Sequence, residues 1–146
     1  SGIGAPYWRS DARGLITGLT RDSDWKTLVR ATLESVAYQS YDLFSSMNKD
    51  GLKPKIIKID GGMVANNWFA QFLSDIIDIQ VIRPKVLETT ALGVALFAGY
   101  QSGLFKSLKE ITLLWKKDRN FKPKISKANR NNLIKGWNLA IKRTLV

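Results

Sequence analysis

The chain has 146 residues, of which 45% are hydrophobic and 24% are charged, values typical of a globular protein with one apolar core. It contains no Cys and no His, which excludes disulfides, a zinc site built on those residues and a Ser-His-Asp triad. Its apolar runs fall short of the ~20 residues that a membrane-spanning helix needs. We therefore expect a cytoplasmic protein without a membrane partner.

The net charge of +11 is concentrated towards the C-terminus. Residues 1–102 carry 11 basic and 10 acidic side chains, whereas residues 103–146 carry 12 basic and 2 acidic ones. A basic segment of this kind is one mark of nucleic-acid binding. The aromatic residues within it are spaced for helix packing rather than for base stacking, so we expect no nucleic-acid partner. These residues are Phe105, Trp115, Phe121 and Trp137.

The first residues contain neither an initiator Met nor a signal pattern, so we expect the sequence to begin inside a longer chain. Turn-forming residues predict a loop over residues 4–14. Residues 15–20 are predicted to form a short strand that Gly18 weakens.

A long helix is predicted next. Asp22, Ser23 and Asp24 are candidate N-caps, and Gly51 is a candidate for the left-handed position after the helix end. Between them, apolar residues recur at intervals of three and four, which predicts one buried helical face. The residues of this face are Trp25, Leu28, Val29, Leu33, Val36, Ala37, Phe44 and Met47.

Strands and helices alternate in the rest of the chain. Strands are predicted at residues 55–60 and 80–84, from β-branched residues bounded by Gly or Pro. Between them, Gly61-Gly62 predicts a sharp turn into a helix over residues 64–77. Three further helices are predicted at residues 89–99, 107–115 and 126–145. This order predicts an α/β fold with at least one parallel strand pair.

The turn at residues 60–67, with the sequence DGGMVANN, is the strongest candidate site. Glycines between a strand and a helix allow the backbone to approach a phosphate, and a helix start offers unsatisfied N–H groups. The local pattern alone favours an ordinary strand-to-helix turn. It matches neither the dinucleotide-binding glycine motif nor the Walker A motif.

Several segments, in order along the chain, resemble the C-terminal part of FGGY carbohydrate kinases, above all those that act on glycerol. The family usually carries other residues at three positions of this sequence, Arg9, Ser10 and Thr27. The matching segments are GAPYW with DARG (residues 4–14), GLTR (18–21), RATLES with AYQ (30–39), DGG with VANN (60–67), ETTALG (88–93) and GW (136–137).

The resemblance implies a ribonuclease H-like, actin-like ATPase fold with a short mixed sheet flanked by helices. Residues 1–146 would be part of the C-terminal nucleotide-binding lobe. It implies that Gly61, Gly62 and Met63 approach the phosphates and ribose of ATP or ADP, and that Asn66 contacts adenine.

The resemblance also implies that the full enzyme uses ATP with magnesium to convert glycerol to glycerol 3-phosphate. The catalytic base, the magnesium ligands and the glycerol pocket would lie outside this chain, so we expect no catalytic residue here and no activity of the chain alone. An FGGY kinase for another polyol or sugar is one alternative, and a non-catalytic binding domain is another. An unpaired sheet edge leads us to expect a homo-oligomer. The alternative is a monomer in which the loop from Gly2 to Arg13 covers that edge.

Other polar residues are weaker candidates. Glu34 and Gln39 are expected to form hydrogen bonds at a helix end or between lobes. Asp60 is a candidate for metal contact or for capping a turn. Trp8 and Arg13 are expected to anchor a packed loop.

Overall fold

The computed structural model describes residues 2–146 and contains five α-helices and three strands within that range. None of the described helices is long and apolar enough to cross a membrane. In chain order the elements are α1 (Trp25–Lys49), β1 (Ile56–Lys58), a 3₁₀ helix (Gly62–Ala65), α2 (Asn67–Ile77), β2 (Gln80–Pro84), α3 (Thr89–Gln101), α4 (Leu108–Leu113), β3 (Lys117–Phe121) and α5 (Lys127–Thr144).

The three strands form one mixed sheet in the order β1-β2-β3. β1 and β2 are parallel, with Ile57 opposite Val81, which confirms the predicted parallel pair. β3 runs antiparallel to β2 and was not predicted. Its sequence, KDRNF, is mostly charged, which suits an edge strand but hides the apolar pattern by which strands are recognised.

Helix α1 begins and ends where the sequence predicts. Asp24 caps its start, accepting a hydrogen bond from the Thr27 N–H at 2.8 Å, and Gly51 follows its end with φ +89°. The prediction of one continuous buried face is wrong for the first turns, where Trp25 is 69% and Val29 51% exposed. The packing partner α2 is about 16 Å long and α1 about 37 Å, so α2 cannot cover all of α1.

The core is centred on α2, which contacts α1, β2, β3 and α5. Tyr38 of α1 meets Phe72 edge to face at 5.6 Å between ring centroids, and it stacks on Trp137 of α5 at 5.4 Å. The core residues of α2 and the sheet share nearly complete burial. They are Phe69, Ala70, Phe72, Leu73, Ile76, Ile77, Ile79, Val81 and Phe121.

The strand predicted at residues 15–20 is absent, and these residues form no regular structure. Gly18 adopts φ +82°, which interrupts extended geometry, and no described strand lies beside the segment to complete a ladder. Ile16 is consequently 66% exposed. An extended segment needs a hydrogen-bonding neighbour to become a strand.

The loop predicted at residues 4–14 is present. Of its two candidate anchors, Arg13 forms contacts within the loop and Trp8 does not pack. Trp8 is 77% exposed with φ +50°, so the expectation that it packs is wrong. Arg13 donates to the backbone carbonyl of Asp11 at 2.8 Å and holds the loop locally. This hydrogen bond lies within the loop and does not involve Trp8, whose indole is exposed to solvent.

The aromatic residues of the basic C-terminal segment contact other parts of the protein, but the predicted helix packing holds only for Trp137, since Phe121 lies in β3 and Phe105 and Trp115 lie outside helices and strands. Phe121 is buried, and Trp137 stacks on Tyr38. The Lys58 ammonium lies 4.1 Å from the Trp115 ring centroid. The Phe105 ring lies so close to Gly99 that a Cβ there would be 2.8 Å from it.

A buried carboxylate joins α1 to α5 and to the N-terminal loop. Asp42 is buried, and the Trp137 indole N–H donates to its Oδ2 at 2.7 Å. Burial raises the pKa of Asp42 above the usual range of an aspartate, while the hydrogen bonds from Trp137 and the Tyr7 hydroxyl oppose that rise. The fold therefore favours the protonated form of this carboxyl.

This carboxyl predicts a pH-dependent stability. A raised pKa contributes stability at low pH that is lost as pH rises through the folded-state pKa. Asp42→Asn stays neutral and still accepts from Trp137, so its advantage over the wild type in free energy of unfolding should grow from about pH 4 towards pH 7. Urea titrations at several pH values measure this difference.

Asp42→Ala is the comparison variant. It leaves the Trp137 N–H without its acceptor and should be about 1–3 kcal/mol less stable than Asp42→Asn at every pH, because neither variant titrates at this position. A wild type whose stability relative to Asp42→Asn does not change with pH would contradict the burial argument.

The free side of β1 predicts self-association. Among residues 2–146 no strand pairs with that side, and Ile56 is exposed there. The loop of residues 2–14 lies against α1 and α5, where Gly2 and Arg13 share a groove with Trp137, so it does not cover β1. Open strand edges recruit other strands.

We expect the 146-residue chain to form dimers or larger species as its concentration rises. Light scattering over a concentration series measures the mass. The Ile59 N–H donates to Ile82 in β2, and N–H directions alternate along a strand, so the Ile56 N–H faces the free side. Replacing Ile56 with Pro removes that N–H and should shift the mass towards the monomer. A chain that is monomeric throughout would contradict pairing through this edge.

Candidate functional site

The glycine turn connects β1 to the 3₁₀ helix and is tied to the start of α3. Gly61 has φ +89°, a conformation that side chains other than glycine rarely adopt. Its N–H donates to the Leu87 carbonyl at 3.0 Å. Asp60 accepts a hydrogen bond from the Thr89 hydroxyl, which gives it a turn-capping contact at the first residue of α3.

The space beside the two glycines is open. A Cβ built on Gly61 or Gly62 would meet no heavy atom within 4 Å, in contrast to the packed Gly99. Gly62 and Met63 begin the 3₁₀ helix, and the first N–H groups of a helix have no partner within it. The backbone of the turn is therefore accessible to a ligand from this side.

Asn66 caps α2. Its side-chain oxygen accepts hydrogen bonds from the N–H groups of Trp68 at 2.9 Å and Phe69 at 3.2 Å. Helix α2 consequently begins at Asn67, after the 3₁₀ helix, rather than at residue 64. The expectation of unsatisfied N–H groups at this helix start is wrong for these two, because Asn66 occupies them. The Asn66 amide nitrogen takes no part in the cap.

A groove of about 290 Å³ lies next to Asn66, between the exposed first turns of α1 and the start of α2. Trp68 forms one wall and is stacked on Phe72 with ring centroids 5.2 Å apart. The Arg30 guanidinium lies 5.7 Å from the Trp68 centroid and is held by Glu34 at 2.7 Å. Glu34 thus pairs within α1, and the groove offers flat surfaces suited to a planar ring.

Two residues near the turn were missed from the sequence, namely Arg83, which contacts it, and Asp118, which contacts Arg83. Arg83 of β2 donates from Nη1 to the carbonyls of Val64 and Ala65 at 2.8 and 3.0 Å. Its Nε and Nη2 both donate to Asp118 Oδ2. An Arg within an otherwise apolar strand was the available signal, but Asp118 lies in the strand that the sequence did not predict.

Among residues 2–146, no three His, Cys, Asp or Glu side chains are grouped so that they could hold a metal ion. The acidic residue at the turn, Asp60, is a single carboxylate engaged with Thr89. Asp60 alone would supply one oxygen ligand to Mg²⁺, which keeps an octahedral set completed by waters, phosphates or other residues.

The site thus consists of an α/β unit with a glycine turn between its parallel strands and a capped helix after it. The model of the FGGY family of carbohydrate kinases, C-terminal domain, matches residues 1–102. The chain belongs to this family.

The relatives are longer proteins. The chain is 54% identical over 145 residues to a glycerol kinase of Gluconobacter oxydans, covering 99% of this chain and 28% of that protein. It is 48% identical over 144 residues to one of Rhodospirillum centenum, covering 99% of this chain and 29% of the relative. The chain thus spans under a third of the length of these relatives.

Solved structures share the fold. A Plasmodium falciparum glycerol kinase with ADP matches with a TM-score of 0.85 and 38% identity, over 100% of this chain and 29% of that one. A ligand-bound xylulose kinase of Lactobacillus acidophilus matches with a TM-score of 0.71 and 25% identity, over 94% of this chain and 28% of that one. The predicted actin-like ATPase fold class is confirmed.

The Asn66 cap predicts a stability difference between two substitutions. Asn66→Ala removes the acceptor for Trp68 and Phe69 and should lower the free energy of unfolding by about 1 kcal/mol. Asn66→Ser keeps a capping oxygen and should lower the free energy of unfolding by only a few tenths of a kcal/mol. Chemical denaturation measures both, and equal losses would contradict the capping role.

Proposed function

We propose that this chain forms the C-terminal nucleotide-binding part of an enzyme that transfers the γ-phosphoryl group of ATP to glycerol, giving glycerol 3-phosphate. The observation that carries the proposal is the open Gly61-Gly62 turn within a chain of the FGGY family. The ADP-bound glycerol kinase with the same fold supports nucleotide use.

The proposed nucleotide contacts follow the turn. Gly61, Gly62 and Met63 would face the phosphates and ribose, since glycine leaves room for close approach to the backbone. Asn66 would contact adenine through its amide nitrogen, which the helix cap leaves available. The groove between Asn66 and Trp68 provides an apolar surface beside that amide.

ATP is proposed to act with magnesium held by residues outside this chain, since Asp60, the acidic residue at the turn, is engaged with Thr89. Phosphoryl transfer also requires a base or an orienting group for the attacking hydroxyl. We assign neither to this chain. The reaction is proposed to occur in the cytoplasm.

Glycerol is favoured over other substrates by sequence identity. The glycerol kinases match at 54%, 48% and 38%, whereas the xylulose kinase and a gluconate kinase of Lactobacillus acidophilus match at 25%. A kinase for another polyol or sugar is the second candidate, because those structures share this fold. A non-catalytic binding domain is the third.

The full-length protein tests the function. Purified protein should form ADP from ATP when glycerol is added and should respond far less to xylulose or gluconate. The isolated 146-residue chain should show no glycerol-dependent ADP formation and only weak nucleotide affinity, since one wall buries part of a ligand. Full-length protein that responds to another polyol would favour the second candidate, and turnover by the isolated chain would contradict the proposed division of roles.

A substitution at Gly62 tests ligand binding separately from folding. Gly62→Val should leave the free energy of unfolding nearly unchanged, because a Cβ there meets no protein atom and no positive φ is required. In the full-length protein it should weaken ATP binding about tenfold or more, because the side chain occupies the approach of the phosphates. Nucleotide titration and denaturation together measure the two effects.

Gly136→Val is the matched control, since Gly136 lies in α5 and is equally open. It should leave ATP affinity unchanged. Equal ATP affinity in the Gly62 variant and the wild type would remove the turn from the nucleotide site.

A further inference from the structure

We infer that Arg83 is a positioning residue for the nucleotide turn, acting with Asp118 as a clamp on the backbone between Met63 and Asn66. The inference rests on the proposed function, since it assumes that this turn binds nucleotide. Neither residue lies in the turn itself.

The guanidinium is attached to the turn through the backbone. Arg83 Nη1 donates to the Val64 carbonyl at 2.8 Å and to the Ala65 carbonyl at 3.0 Å. These carbonyls belong to the 3₁₀ helix that begins at Gly62, and Asn66 follows directly. A shift of the guanidinium therefore displaces both the glycine backbone and the Asn66 side chain.

An irregularity in β3 supplies the counterion. Arg83 pairs with Arg119 across the sheet, and Pro84 pairs with Lys117, so Asp118 is an extra residue with no partner in the ladder. An extra residue of this kind bends a strand and redirects a side chain. Here the Asp118 carboxylate accepts hydrogen bonds from Arg83 Nε at 2.8 Å and from Nη2 at 2.6 Å.

Burial makes this arrangement rigid. The Arg83 side chain is 10% exposed, and its guanidinium carbon lies 5.5 Å from the Phe121 ring centroid. Carboxylate, two carbonyls and an aromatic ring thus surround one planar cation. A buried charge that loses part of such a set is strongly destabilised, so the cation fixes the positions of its partners.

Lysine cannot reproduce these contacts. The guanidinium donates in three directions from a fixed plane, whereas an ammonium on a flexible stem is a single point charge. Arg83→Lys keeps the charge on a slightly shorter stem but cannot hold Asp118 and both carbonyls in the same geometry. It is therefore a sharper probe than removal of the charge.

The test compares three full-length variants, Arg83→Met, Arg83→Lys and Asp118→Asn, with the wild type. Arg130→Met is the matched control, because Arg130 forms a 2.6 Å ion pair with Asp78 at the other end of α2. The measurements are KM for ATP, KM for glycerol, the melting temperature and amide exchange. Exchange is followed at Val64 and Asn66, whose N–H groups bond within the turn.

We expect Arg83→Met and Arg83→Lys to raise KM for ATP about tenfold, since a hydrogen-bonded charge is lost or misplaced, with KM for glycerol unchanged. Asp118→Asn should raise KM for ATP by a smaller factor. Amide exchange at Val64 and Asn66 should accelerate more than elsewhere in the protein. Arg130→Met should lower the melting temperature without changing KM for ATP.

A wild-type KM for ATP in a folded Arg83→Lys or Asp118→Asn variant would overturn the inference while the proposed function stands. The same holds if Arg130→Met raises KM for ATP as much as the Arg83 variants do, because the effect would then follow stability alone. If the wild type itself shows no glycerol-dependent ATP consumption, the proposed function fails and the link from Arg83 to nucleotide fails with it.

Discussion

The burial of helix α2 determines where the glycine turn lies. The helix contacts α1 on one side and the sheet on the other, and Phe69, Phe72 and Ile76 are almost fully buried. Burying a side chain of this size stabilises a fold by about 1.5–3 kcal/mol. Because α2 cannot turn or slide without exposing them, its first residue and the turn before it are fixed relative to the sheet.

Polar groups on α2 extend this constraint to β3. The buried Ser74 hydroxyl lies within hydrogen-bonding distance of the carbonyls of Ile79 and Phe121, at 2.8 and 3.1 Å. Asp75 Oδ1 accepts from the Lys124 N–H at 2.6 Å. Such bonds compensate for the burial of polar groups and are specific in direction. They hold the end of β3, and thus Asp118, at a defined distance from the turn that Arg83 contacts.

The elements with a periodic pattern and local boundaries could be predicted from the sequence. α1, α2 and β2 have apolar periodicity together with Asp24, Asn66 or Pro84 at an end, and all three form close to the predicted positions. β3 depends on pairing with β2 and has no pattern of its own.

Local pattern also fails where burial depends on distant partners. Residues 15–20 have the composition of a strand but no described neighbour with which to pair. The exposure of Trp25 depends on the length of α2, which is not visible in the sequence of α1. The Asn66 cap was visible as a helix-start residue, whereas the Arg83 ion pair joins residues 35 apart across an unpredicted strand.

The proposals of ATP and of glycerol rest on different kinds of evidence. Proteins with different names share this fold at TM-scores of 0.65 to 0.85. A phosphate-approaching turn depends on backbone geometry, which such a fold retains while side chains change. Small hydroxylated substrates are distinguished by individual side-chain hydrogen bonds, which a shared backbone does not specify. The geometry of this chain therefore argues for the nucleotide, and the preference for glycerol rests on sequence identity.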